Sequence, residues 1–136
     1  MKSTISTFAS AITLFVLASL FYMTIGRSAI FASYSPLYRP EFDMKFWAII
    51  CGYLLQGFFL TLIYVRYYKG ENPFNEGLLF GLLFGLLFAL PITFFMWATF
   101  PVTYKAAIVD GIGMGFRTLV AGIVIGLIMG KKVKAE

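Results

Sequence analysis

The chain has 136 residues, of which 60% are hydrophobic and only 12% charged, with a mean hydropathy of +0.87. Soluble domains carry about one charged residue in four, so this chain has too few charges to coat a surface in water, and lipid is its solvent for much of its length. Its net charge of +5 comes from basic residues gathered at the ends of apolar runs, which is the membrane pattern and speaks against nucleic acid as a partner.

There is no histidine and a single cysteine. The commonest general base and transition-metal ligand are therefore missing, and neither a metal nor another cofactor is expected. No intrachain disulfide can form, and Cys51, inside an apolar run, reads as a small buried apolar residue.

Four apolar segments follow in chain order, at about 8–28, 46–66, 74–96 and 106–129. Each approaches or passes the ~20 residues that cross a ~30 Å hydrocarbon core, and backbone groups in lipid must bond within their own segment, so each is expected to be a helix. The first run is long enough to span, and is read as a transmembrane helix and not as a cleaved leader. The expected fold is all-α: an integral membrane four-helix bundle in one domain, residues 1–136.

The connections differ in kind. Residues 26–45 hold Pro36, Pro40, five charges and the aromatics Tyr34, Tyr38 and Phe42, a mixture suited to the membrane–water interface. The second and third spans are joined by a short polar stretch from Arg66 to Pro73, and the third and fourth by Thr99 to Lys105. With four spans the termini and the middle loop share a side. That side holds Lys2, Arg66, Lys69, Lys131, Lys132 and Lys134, against Arg27, Arg39, Lys45 and Lys105 on the other. The excess places both termini in the cytoplasm, with the chain in a cell inner membrane.

The third span repeats a tetrapeptide: Gly77-Leu-Leu-Phe, Gly81-Leu-Leu-Phe, Gly85-Leu-Leu-Phe, then Ala89. Small residues at every fourth position cut a shallow groove that lets another helix backbone approach. The fourth span has its own stripe: Gly111, Gly115, Thr118, Gly122 and Gly126. The two grooved helices are expected to pack on each other, the alternative being a dimer interface or a slot for a lipid.

Polar groups inside spans are costly to keep and carry more information. Arg117 lies about eleven residues into the fourth segment, roughly 16 Å deep. Snorkelling from there strains its reach, so it calls for a partner or an aqueous pocket. Asp110 lies seven residues earlier on the same face, ~10.5 Å along the axis, too far for easy direct contact. Water or a residue from another helix is expected to bridge the two. Asp110 also suits the first turns of a helix, as does Glu76 at the start of the third span. Gln56, near the centre of the second span, is suited to an interhelical hydrogen bond. Pro91 frees the carbonyl of Leu87, and Thr93 stands near enough to help satisfy it.

No paired carboxylates, nucleophile with a base, metal cluster or phosphate loop is present, and the chain is not read as an enzyme. The glycine-rich third span, the stretch from Thr93 to Thr103 and the run Val109-Asp110-Gly111 together resemble small bacterial four-span membrane proteins grouped as domains of unknown function. The resemblance covers mainly the second half of the chain, and Arg117 lies outside its pattern. It implies a four-span fold in a bacterial inner membrane and no activity.

Three functions fit these features. The first is a bundle that binds or transports a small molecule, ion or lipid, with Asp110, Arg117 and Gln56 lining a polar pocket and Glu76 as a further polar candidate. The second is an accessory subunit, as a homo-oligomer or part of a larger membrane complex, docked through the glycine stripes. A membrane-embedded enzyme ranks last, because no acid–base pair can be named.

Overall fold

The computed structural model describes residues 1–130, and among them every regular element is helical. Helix α1 is Lys2–Met23, and two short helices follow, α2 at Ile25–Ala29 and α3 at Phe31–Tyr34. Single 3-10 turns at Ser35–Leu37 and Glu41–Asp43 complete the first connection. The remaining helices are α4 at Phe46–Tyr67, α5 at Pro73–Thr99 and α6 at Tyr104–Met129. Helices α1, α4, α5 and α6 are each long and apolar enough to cross a membrane, and they form the expected four-helix bundle.

Most span ends extend past their apolar runs where polar residues find a local use, but α1 stops at Met23, short of the expected residue 28, and the chain continues in the separate short helix α2. Helix α1 starts at Lys2, ahead of its apolar run, and buries Ser6 and Ser10 against α4. The hydroxyls of Ser6 and Thr61 lie 3.4 Å apart, and Ser10 Oγ donates to the carbonyls of Thr7 and Gly57. The Asn72 side chain caps α5 by accepting from the Asn75 amide at 3.2 Å, with Pro73 in the first turn, where its missing donor does no harm. Thr103 caps α6 in the same way, through the Ala106 amide. Gly70 turns the chain between α4 and α5 with φ 86°, a conformation open to glycine at little cost.

Helix α6 is the hub. It packs extensively on α5 on one side and on α1 on the other, while α4 packs on α1 and touches α6 only sparsely. The row α5, α6, α1, α4 curls round until α4 and α5 face each other. Their edge-on contact is between Tyr64 and Phe80, with ring centroids 5.2 Å apart. Lys2 Nζ reaches the Met129 carbonyl, so α1 begins where α6 ends. The tail lysines Lys131, Lys132 and Lys134 lie outside the described residues.

The tetrapeptide repeat sorts α5 into three faces. Gly77, Gly81, Gly85 and Ala89 are buried, while Leu79, Leu82, Leu83, Leu86, Leu87 and Leu90 are exposed, as a lipid-facing surface requires. Phe80, Phe84 and Phe88 form a tilted aromatic ladder with centroid spacings of 4.6 and 6.3 Å, turned toward α4. The glycines meet α6 as expected. A methyl group added at Gly81 would stand 2.5 Å from the Leu119 carbonyl oxygen, and one at Gly85 2.7 Å from that of Gly115. From the other side, Gly111 abuts Thr93, Gly122 abuts Gly81 and Gly126 abuts the Pro73 carbonyl.

Three expectations change. Cys51 is exposed on the outer face of α4 and is not buried, because the inner face of that helix is taken by Gly57, Leu60, Thr61 and Tyr64. Thr93 donates across the seam to the Ala107 carbonyl of α6 at 3.4 Å, instead of serving the carbonyl freed by Pro91. Gln56 makes no interhelical hydrogen bond among the described residues; it lines a cavity instead.

Candidate functional site

Two apolar clusters divide the bundle along its length. One gathers Leu14, Leu60, Tyr64, Tyr68, Ala121 and Ile125, and the other Ile30, Tyr34, Val102, Ala106 and Ala107. Along α6, Asp110 and Arg117 fall between them. This intermediate layer holds the charged groups of the fourth span, with Tyr22 of α1 beside them.

Arg117 is buried, with 6% of its surface exposed. Its guanidinium lies over the face of Tyr22 from α1, 5.8 Å from the ring centroid, within range of a cation–π attraction. The hydroxyl of the same tyrosine donates to Asp110 Oδ1 at 2.7 Å. Tyr22 is thus the bridge between the arginine and the aspartate, one group using its ring and the other its oxygen. Among the described residues no ion pair joins the two charges directly.

This arrangement leaves part of the guanidinium unserved. Arg117 Nη1 is fully enclosed and has no hydrogen-bond partner. An orphaned donor on a charged group is expensive in a low-dielectric interior. Beside it lies a cavity of about 380 Å³ between α4, α5 and α6, with Gln56 and Arg117 as its polar lining residues. The remaining walls come from Phe59, Ile63, Phe84, Phe88, Ile92 and Met114, with Leu60 behind them. The volume falls at the small end of the ~300–1,000 Å³ range of ligand sites, and the make-up is that of such sites: apolar walls with a few convergent polar groups.

Glu76 is not part of this cluster. Its carboxylate accepts from the amides of Lys69, Gly70, Glu71 and Asn72 at 2.8–3.4 Å, which ties down the connection between α4 and α5. Of the polar candidates, Arg117 and Gln56 share the cavity, Asp110 joins them through Tyr22, and Glu76 stands apart.

At the Tyr22 end the first connection folds over the helices. Tyr34 is buried and stacks on Tyr38 at 6.0 Å, and the Thr103 amide donates to Ser33 Oγ at 2.7 Å. Burial, and after it the nearby charge of Asp110, raises the Tyr34 hydroxyl above the ordinary tyrosine value and pushes Tyr38 up to about 12. Arg39 and Lys45 hold Asp43 between them at 3.0 and 2.9 Å, which keeps its carboxyl below the usual carboxylate value.

Comparison with protein-family models, with curated proteins and with solved structures finds no match. The class of the molecule follows from its own geometry: a four-helix integral membrane bundle with one buried arginine beside an apolar cavity.

Sequence reasoning missed Tyr22, which stands near the end of a span where aromatics ordinarily mark the interface. Antiparallel pairing of the first and fourth spans was the available signal, since it brings the end of one level with the start of the other. It also missed the seam of Ser6, Ser10, Gly57 and Thr61, where small residues let α1 and α4 approach.

Proposed function

We propose that this protein is a non-catalytic bundle of the cell inner membrane that binds a small anionic molecule in the α4–α5–α6 cavity and carries it within or across the bilayer. Both termini face the cytoplasm, on the excess of basic residues at that end, the three tail lysines included. One observation carries the binding role: an always-charged guanidinium, buried and with its Nη1 unpartnered, belongs to a residue that lines a cavity. An anion seated there offsets the charge, and a small turn of the guanidinium toward it gives Nη1 a partner. Gln56 supplies a neutral donor and acceptor alongside, and Tyr22 and Asp110 hold the arginine in place.

Native mass spectrometry of the protein purified in a neutral detergent tests this. The parent is expected to carry a small anionic adduct, or to take one up from added carboxylates or phosphate, and Arg117→Gln is expected to lose it. If the parent and the variant behave alike across such additions, and the parent instead copurifies in fixed ratio with another membrane chain, the accessory-subunit function takes its place.

A further inference from the structure

We infer that the ligand is a singly charged anionic amphiphile with one slender apolar chain, and that it enters sideways from the bilayer between α4 and α5, headgroup toward Arg117. This rests on Arg117 as an anion anchor and adds the ligand class and the route.

The headgroup is constrained by what lines the cavity. There is one cation, Arg117, and one neutral amide, Gln56. A carboxylate matches the planar fork of a guanidinium and asks for little else. A multiply charged phosphate ester would need further cations to offset its desolvation. A zwitterion would need an acid for its ammonium, and no acid lines the cavity. A sugar or nucleotide would leave most of its hydrogen-bonding groups unmatched.

The chain is constrained by the walls. Phe59, Ile63, Phe84, Phe88, Ile92 and Met114 form an apolar trough. From Phe84 to Ile92 it runs eight residues along α5, ~12 Å at the helical rise. It is bounded by the glycine seam, where the α5 backbone at Gly85 lies against the α6 backbone at Gly115, and toward the Lys2 end by the contact of Tyr64 with Phe80. Between α4 and α5 there is no such closure: the two helices share no extensive packing, and Phe59 and Ile92 are exposed at the rim. The rim therefore opens where lipid lies, and an acyl chain loses nothing by moving from the bilayer into the trough, whereas its carboxylate gains the guanidinium of Arg117.

Binding of tritiated dodecanoate to the protein in a neutral steroid-based detergent tests this, with unlabelled dodecanoate, dodecanol, butyrate and inorganic phosphate as competitors. Dodecanoate should compete at least tenfold better than dodecanol, which keeps the chain without the charge, and than butyrate, which keeps the charge without the chain. Arg117→Gln and Ile92→Trp should each weaken binding at least tenfold, the first by removing the anchor and the second by filling the rim. If butyrate or phosphate competes as well as dodecanoate, Arg117 remains an anion anchor and the amphiphile is overturned. If dodecanol matches dodecanoate and Arg117→Gln changes nothing, both the ligand class and the anchor fall. Should Arg117→Gln fail to fold, unchanged binding by Ile92→Trp overturns the trough and a tenfold loss upholds it.

Discussion

Helix α6 meets α5 along a close seam, backbone against backbone at Gly77, Gly81 and Gly85, and faces α4 across a gap of about 380 Å³. Both contacts lie within the same apolar spans, and the difference comes from side-chain size. On the α5 side, Gly77, Gly81, Gly85, Gly122 and Gly126 meet backbone atoms, and Gly111 and Gly115 meet the small side chains of Thr93 and Ala89. On the α4 side, phenylalanines, a glutamine and an arginine hold the helices apart. In lipid no water-driven force closes such a gap, so close packing depends on small residues that let backbones touch. One face of α6 is therefore built for cohesion and the other for occupancy.

The largest expected effect comes from invading the cohesive face. Gly81→Leu places a side chain against the backbone of Leu119, which a rotamer change cannot move aside. Overpacking in well-packed cores ordinarily costs ~1–3 kcal/mol, and here the loss should reach the top of that range or exceed it. Thermal denaturation in detergent reads it directly. Gly115→Ala offers the contrast within the same seam. Its added methyl meets the Ala89 methyl at 3.6 Å, an ordinary contact, so its melting temperature should stay near the parent's. If the two variants melt together, the seam is not where the helices are held.

The next effect lies in the polar layer beside the gap. Tyr22→Phe keeps the ring under Arg117 but removes the donor to Asp110. A partly buried acceptor left without its partner costs ~1–3 kcal/mol. The loss should disappear when Asp110→Asn is made with it, because the uncompensated charge goes too. A double-mutant cycle on melting free energies checks this, and full additivity would mean the hydrogen bond carries no coupling.

Arg117→Gln should do the opposite. A charge at mid-span costs ~2.5–3.5 kcal/mol on insertion scales, and the cation–π contact returns ~0.5–2 kcal/mol of it. The variant should thus be more stable than the ligand-free parent by about 1 kcal/mol, while losing the bound anion. Stability gained with binding lost separates a functional arginine from a structural one. A lower melting point would mark Arg117 as part of the cohesive framework.

The cohesive face was readable from the chain alone, because a strict four-residue spacing of Gly77, Gly81 and Gly85 in an apolar run favours close helix packing over its alternatives, a dimer interface or a lipid slot. The spans were readable for the same reason that lipid allows few alternatives. The site was half readable. Arg117 and Asp110 stood out by their cost, and the need for a bridge followed from the axial distance between them. Tyr22 did not stand out, since its role depends on which helix ends come level. The cavity did not either. It arises because α4 packs on α1 through Ser6, Ser10, Gly57 and Thr61, whose four-residue spacing is carried by mixed residue types with only one glycine, and α4 touches α6 only sparsely.

The smallest effect is the control on the whole comparison. Gly52 belongs to α4, the helix at the edge of the gap, and a methyl group built there meets no atom within 4 Å. Its glycine serves no close approach, so Gly52→Ala should act through helix propensity alone. Alanine is favoured over glycine by ~0.8–1.0 kcal/mol in a helix interior, and the lipid-facing position gives the methyl an apolar surrounding. The expected change is neutral to slightly stabilising, a fraction of what Gly81→Leu removes and of opposite sign. Melting curves of the two variants in the same detergent put the values side by side. A marked loss at Gly52 would mean that another helix backbone lies against α4 in the folded particle. The exposed face of α4, Cys51 included, would then be an interface between chains and not a lipid surface, and the route into the trough from that side would be closed.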